Sequence, residues 1–227
     1  MDMAEVRALI SVSDREILPM PELFWHRSSL HGQAHVARVL VHACRLIAAV
    51  SCVEEAPRLW AAVYLHDIAR RHDGRSKGHG ADGWARLADL PDVQTLFQRG
   101  GVRHGDYPAI EAAVTRHSKD EPMPDEAHWR LTALLKDADG LDRVRLYDLD
   151  PKMLRHSEAR LMVPFAETLF DQTDRELIPG PDYFAQLWAE ALRIDDKSRP
   201  GARSARAALS DDSSESGLRS PAVRRPN

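Results

Sequence analysis

Residues 33–50 read QAHVARVLVHACRLIAAV, and their apolar positions recur at the spacing of a helix rather than a strand. Val36, Val39, Leu40, Ala43, Leu46, Ile47 and Val50 fall on one stripe, with Ser28-Ser29 as candidate N-caps and Gly32 upstream. Outward from this segment the same periodicity continues. A second helix is expected from about Pro57, a residue suited to a first turn, to about Arg70, with Leu59, Ala62, Val63 and His66 on one face. Short helices are expected over His79–Leu90 and Val93–Gln98, ending at Gly100-Gly101, and another from Ala109 to His117 behind Pro108. Asp125 is read as the cap of a helix reaching Asp139, and amphipathic segments follow over about Ser157–Glu176 and Pro181–Ile194. No segment alternates in the two-residue fashion of a half-buried strand, and no internal repeat occurs, so the fold class is all-α.

The chain has 227 residues, of which 43% are hydrophobic, enough for one domain with a sizeable core. A single all-α domain is expected over residues 1–196. Beyond Lys197 large apolar residues nearly vanish, and residues 197–227 are expected to stay disordered, because they bury too little surface to offset their ordering entropy. A net charge of -4 gives no reason to expect nucleic acid as a partner. No run approaches the length of a membrane span and no leader is visible, so a cytoplasmic protein acting on a small diffusible molecule is expected. Cys44 and Cys52 have no metal-binding spacing and read as reduced core thiols.

Against this apolar patterning a few polar residues stand out. The stretch 64–80, YLHDIARRHDGRSKGHG, holds His-Asp twice. His66 lies on the apolar stripe of its helix, and Asp67 follows Val63 and Trp60 at helical spacing, so both point inward. A buried carboxylate requires a cation, a basic side chain or a hydrogen-bond network. His72-Asp73 falls in a polar loop before Gly74 and needs no such partner. His35 borders the stripe of the first long helix, His117 ends the Ile110–Val114 stripe, and Asp139 continues the line of Leu135. Taken singly, each has a plain structural reading as a hydrogen-bonded core residue or a turn residue. Together, on separate helices, they suit a hydrated transition metal, because imidazole and carboxylate are present and thiolates are not.

The order His35 in HVARV, His66-Asp67 in LHDIA and Asp139 in KDADGLD resembles the HD-domain superfamily of metal-dependent phosphohydrolases, over about residues 28–145. The resemblance implies a helical bundle with a metal site between its helices, in which His35, His66, Asp67 and Asp139 ligate one divalent ion and Asp67 bridges to a second. His79 and His117 fall where a second ion finds its ligands in small bacterial members that cleave dinucleoside tetraphosphates; His104 competes for either role. The ion would be iron, manganese, nickel, cobalt or zinc, one or two per chain. Two departures are visible: Ala69-Arg70 stands where many members have Gly-Lys, and the Gly-Tyr-Pro signature of the cyclic-dinucleotide branch is missing. The chain is also short for the deoxynucleotide triphosphohydrolase branch.

The activity so implied is hydrolysis of a small phosphate ester, a nucleotide or a dinucleoside polyphosphate by metal-activated water. Asp67, Arg70 and Lys136 are the expected catalytic residues, and His31, Lys77, His104 and Arg143 the expected substrate contacts. His31 stands four residues before His35, but Gly32 between them reads as a turn, which favours the substrate mouth over a ligand role. Asp142 is either an acceptor that orients a ligand histidine or the N-cap of the next segment. Two other readings share the motif: a di-iron oxygenase with the same fold, and a non-catalytic metal-binding regulatory module.

Overall fold

The computed structural model describes residues 1–119, 124–174, 177 and 180–198. Among them the chain is helical and no strand occurs. Helix α1 spans Met3–Ala8, which the sequence reading did not anticipate; Asp2 and Glu5 form a reciprocal cap at its start. Helix α2 is Gln33–Val50, as its stripe predicts. Then come α3 (Ala56–Leu65), α4 (His79–Arg86), α5 (Pro91–Arg99), α6 (Tyr107–Arg116), α7 (Trp129–Leu141), α8 (Ser157–Leu161), α9 (Val163–Thr173) and α10 (Tyr183–Ser198). The predicted tail begins inside α10, and residues 199–227 lie outside the described residues.

Helix α2 is the axis, packed against α1, α3, α7 and α10, while α3 and α7 also pack on α6, and α6 on α4. One connected core runs from Met3 to Ile194 and includes Trp60, whose indole N–H donates to Ile17 O at 2.8 Å. Each fully buried Leu, Val or Ile in that core contributes about 1.5–3 kcal/mol relative to exposure, and α2 is buried on every side from His35 to Cys44, well beyond its predicted stripe. Cys44 and Cys52 are buried free thiols, pushed up by burial to about 12 and about 11. No helix among the described residues is long and apolar enough to cross a membrane.

Helix α4 ends at Arg86, short of Leu90, and α10 runs from Tyr183 to Ser198 where Pro181–Ile194 was expected; three further differences have a local reason. Helix α3 stops at Leu65 instead of Arg70, because the Val63 carbonyl accepts the His66 ring N–H at 2.7 Å and the backbone continues in three-residue turns (Ile68 N to Leu65 O, 3.4 Å; Arg70 N to Asp67 O, 3.1 Å). Helix α7 begins at Trp129, not behind Asp125, since His128 adopts a left-handed backbone (φ 65°) that no right-handed helix passes through. The segment expected over 157–176 is two helices, broken at Met162 ahead of Pro164, whose nitrogen has no proton to donate; Glu176 lies outside the described residues.

Candidate metal centre

Helices α3 and α6 end in the same way. His66 follows Val63 and His117 follows Val114 by three residues, and each ring Nδ1 lies against that valine's carbonyl, at 2.7 Å and 2.6 Å. These carbonyls belong to the last turn of a helix and lack an amide partner, so the imidazole N–H satisfies them. A carbonyl only accepts; Nδ1 therefore carries the proton and Nε2 is left bare. His35, in the first turn of α2, is fixed likewise by a carboxylate: its Nδ1 lies 2.7 Å from Asp142 Oδ2. Asp142 in turn accepts from Arg38 (Nε to Oδ1, 2.6 Å) and from Arg145 (Nη1 to Oδ2, 3.3 Å), and all of these side chains are buried.

The bare nitrogens converge. His35 Nε2 lies 3.1 Å from His66 Nε2, 3.5 Å from Asp67 Oδ2 and 3.4 Å from Asp139 Oδ1. His66 Nε2 lies 3.7 Å from Asp67 Oδ2. A cation with bonds of about 2.1 Å requires donor separations of about 3.0 Å in cis-octahedral and about 3.4 Å in tetrahedral geometry, the range found here. On its other oxygen Asp67 meets His79 Nε2 at 3.0 Å, Arg70 Nη1 at 3.5 Å and His117 Nε2 at 3.7 Å, and the two imidazoles approach each other to 2.8 Å. The side chain of Asp67 is 3% exposed, and its two oxygens thus face two separate groups of donors.

Glycines permit this convergence. A Cβ on Gly80 would stand 2.0 Å from Val114 O, and one on Gly83 2.7 Å from Leu65 O, so α4 lies directly against the ends of α6 and α3. That approach brings His79, the first residue of α4, onto His117.

Electrostatically the cluster is a trap for positive charge. Burial would raise Asp67, but the surrounding rings of His66, His117, His31 and His79 hold it well below the carboxylate range. Asp139 and Asp142 are lowered in the same sense against the effect of burial, Asp139 by His35 and Asp142 by Arg38 and His35. Burial lowers His66 to about 4 and lowers His79, keeping both imidazoles neutral, the form that binds metal. His35 runs the other way: burial and Arg145 oppose its charge, yet Asp139 and Asp142 raise it above the ordinary value. His35 therefore takes up a proton where nothing else resolves the contact with His66.

The donor set suits a metal ion, for buried imidazole nitrogens face one another at 3.1 Å and 2.8 Å across a shared carboxylate. Among the described residues three groups of side chains could hold an ion: His31–His35–Asp67, His35–His66–Asp139 and Asp67–His79–His117. His79 is the loosest donor, because its buried Nδ1 has no partner and Arg70 Nη1 stands 3.4 Å from its Nε2.

Of the other residues named from the sequence, Arg70 alone reaches the cluster. Arg70 is buried beside Asp67 and also donates to Gly74 O at 2.9 Å. Lys136 is buried, and its ammonium donates to Lys119 O at 2.8 Å. Lys77, His104 and Arg143 are exposed; His104 leans on Tyr107, Arg143 pairs with Asp148, and neither joins the cluster. Asp142 orients His35 and also caps no following helix through its side chain, which resolves the two readings of it in favour of the acceptor. His72-Asp73 is a loop pair, with Asp73 bonded to His26 (3.3 Å) and to Ser28, tying the loop to the approach of α2.

The sequence reading missed Arg145, which joins Asp142, Leu30 O (2.9 Å) and His31 Nδ1 (3.4 Å), and gave no role to Arg38 beyond its place in the motif. It also missed Asp137, fully buried, which anchors the chain before α8 through the backbone amides of Arg155 and His156 and the His156 ring. Comparison with family models, curated proteins and solved structures finds no match to this chain.

Proposed function

We propose that this chain is a metal-dependent phosphohydrolase of the HD-domain type, acting on a small phosphate ester, nucleotide or dinucleoside polyphosphate. The observation that carries the reading is the convergence of imidazole nitrogens on both oxygens of one buried carboxylate, Asp67. His35, His66, Asp67 and Asp139 would hold one ion, and Asp67, His79 and His117 a second. A bound divalent ion would supply Lewis acidity, lowering the pKa of water and polarising a phosphoryl oxygen.

The chain's own groups account for the rest. Val63 O, Val114 O and Asp142 fix the tautomers of His66, His117 and His35, so their donor atoms are preset and no reorganisation is needed on binding. Arg70 puts positive charge beside Asp67 Oδ1, and Arg145 puts it beside the His31 ring, both suited to meeting a phosphate. Asp139, with 30% of its side chain exposed, and His31, with 11%, mark the side open to a substrate.

The test is elemental analysis of the purified protein, followed by phosphate release from phosphomonoesters, nucleotides and dinucleoside polyphosphates with manganese, iron, cobalt or nickel. Metal-dependent release that is abolished by Asp67→Ala is expected. Dioxygen consumption with carbon–carbon or carbon–phosphorus cleavage would replace the reading with the oxygenase one, and a protein that holds metal without turnover would leave a regulatory module.

A further inference from the structure

Two of the three metal-competent groups, His31–His35–Asp67 and His35–His66–Asp139, share His35. Its Nδ1 is committed to Asp142 at 2.7 Å, which leaves one nitrogen, and one lone pair binds one cation. The two groups therefore describe a single position, not two. Around it stand His31, His35, His66, Asp67 and Asp139, one more protein donor than the resemblance implies.

His31 is the odd member. The other two histidines are fully buried on the ends of helices, whereas His31 belongs to the loop before α2 and its side chain is 11% exposed. Its backbone is pinned: its own N–H donates to Ser28 Oγ at 3.1 Å, and the preceding carbonyl, Leu30 O, accepts from Arg145 Nε at 2.9 Å. Only the ring is left to move. Its Nδ1 lies 3.0 Å from Asp67 Oδ2, an acceptor, and 3.4 Å from Arg145 Nη2, a donor. One nitrogen cannot donate to the first and accept from the second. Carrying a proton it donates to Asp67 Oδ2; with its lone pair there it shares a cation with that oxygen instead; turned to Arg145 it accepts a hydrogen bond.

We infer that His31 is a displaceable fifth donor to the first cation position, closing it at rest, and that its withdrawal to Arg145 opens a place for an anionic ligand such as a phosphate. This rests on the metal-centre reading proposed above. Arg145 is a positioning residue here, holding the loop carbonyl and offering the alternative partner, and its charge favours the anion that takes the vacated place.

The experiment uses the full chain, stripped with a chelator and reloaded with cobalt(II), whose visible absorption reports coordination number. Cobalt content and affinity are measured by chelator competition, and inorganic phosphate is titrated while the spectrum is followed. His31→Ala is expected to bind as much cobalt as wild type at excess metal, to hold one ion at least about 10-fold more weakly, and to respond to phosphate at concentrations lower by about 10-fold, the scale on which ligand partners alter metal sites. Arg145→Met is expected to keep the cobalt and to need more phosphate than wild type. His31→Gln, checked by circular dichroism, repeats the first measurement should His31→Ala fold poorly. If wild type holds cobalt and the His31 variants match it in both affinity and phosphate response, the displaceable donor is overturned while the metal centre stands. If wild type holds no cobalt, the metal centre itself falls and this inference with it.

Discussion

His35 Nε2 stands 3.1 Å from His66 Nε2, and each ring has already given its Nδ1 proton to another acceptor, Asp142 for one and Val63 O for the other. Such a contact is repulsive unless a cation or an extra proton lies in it. Replacing either ring by alanine should remove the ion held between them. Elemental analysis of His66→Ala is expected to show one ion fewer than wild type, and Asp67→Ala, which serves both donor groups, to show none; retention of the wild-type content in both variants would refute the assignment.

The two positions should differ in strength. His79 lacks an anchor on Nδ1 and has Arg70 beside it, while His117 is well fixed. Increasing chelator is therefore expected to remove metal in two steps, the first of them abolished in His117→Ala.

Asp142 holds His35 in its tautomer but also neutralises Arg38 and Arg145. Asp142→Ala should cost about 3–5 kcal/mol of stability, as expected when one partner of a buried ion pair is removed. Metal affinity at the first position should fall by about 10–100-fold. Thermal melting of the metal-free protein separates the two effects, because only the first survives without metal.

Gly80→Ala would force its Cβ to within 2.0 Å of Val114 O, and α4 must move off α6. The expected result is selective loss of the ion at His79 and His117, with a melting temperature lowered by several degrees for a loss of about 1–3 kcal/mol. Equal loss of both ions would mean that the displacement spreads to α3.

His42 gives the clearest pH dependence away from the metal centre. It is fully buried on α2 against Phe165, neither ring nitrogen has a partner, and burial lowers it to about 4. The unfolded chain then binds a proton more readily than the folded one, so stability conferred by keeping this ring neutral is complete above about 6.5 and is lost as pH falls toward 4. The loss amounts to about 3 kcal/mol. His42→Leu should flatten the denaturation midpoint across that window; a slope equal to wild type would show that other groups carry it.

The helical class was legible because Val36, Val39, Leu40 and their repeats leave no other reading of 33–50. His35, His66, Asp67 and Asp139 were legible as candidates because each interrupts or ends an apolar stripe, and a polar group at such a place needs an explanation. Arg145 was not, since Arg143 is the same residue two positions away. Only the three-residue turn geometry of Asp142–Leu146 puts 145 on the side of 142 and turns 143 to solvent. Asp137 was missed because the motif draws attention to Asp139; two positions on a helix turn a side chain by roughly 200°, and Asp137 faces Arg155 and His156 instead. His31 was placed at the mouth because Gly32 signals a turn, and its dependence on Arg145 is a contact over 114 positions of sequence.

Helices of both polarities terminate at this cluster. Helices α3 and α6 arrive at it with His66 and His117 at their carbonyl ends, and α2 and α4 depart from it with His35 and His79 in their first turns, neither start being capped by a side chain. Each carbonyl end carries roughly half a negative charge and each amide end roughly half a positive one. Each of the two donor groups thus sits where an amide end meets a carbonyl end, His35 against His66 and His79 against His117, a pairing of backbone charge that no side-chain substitution short of unfolding the helices removes.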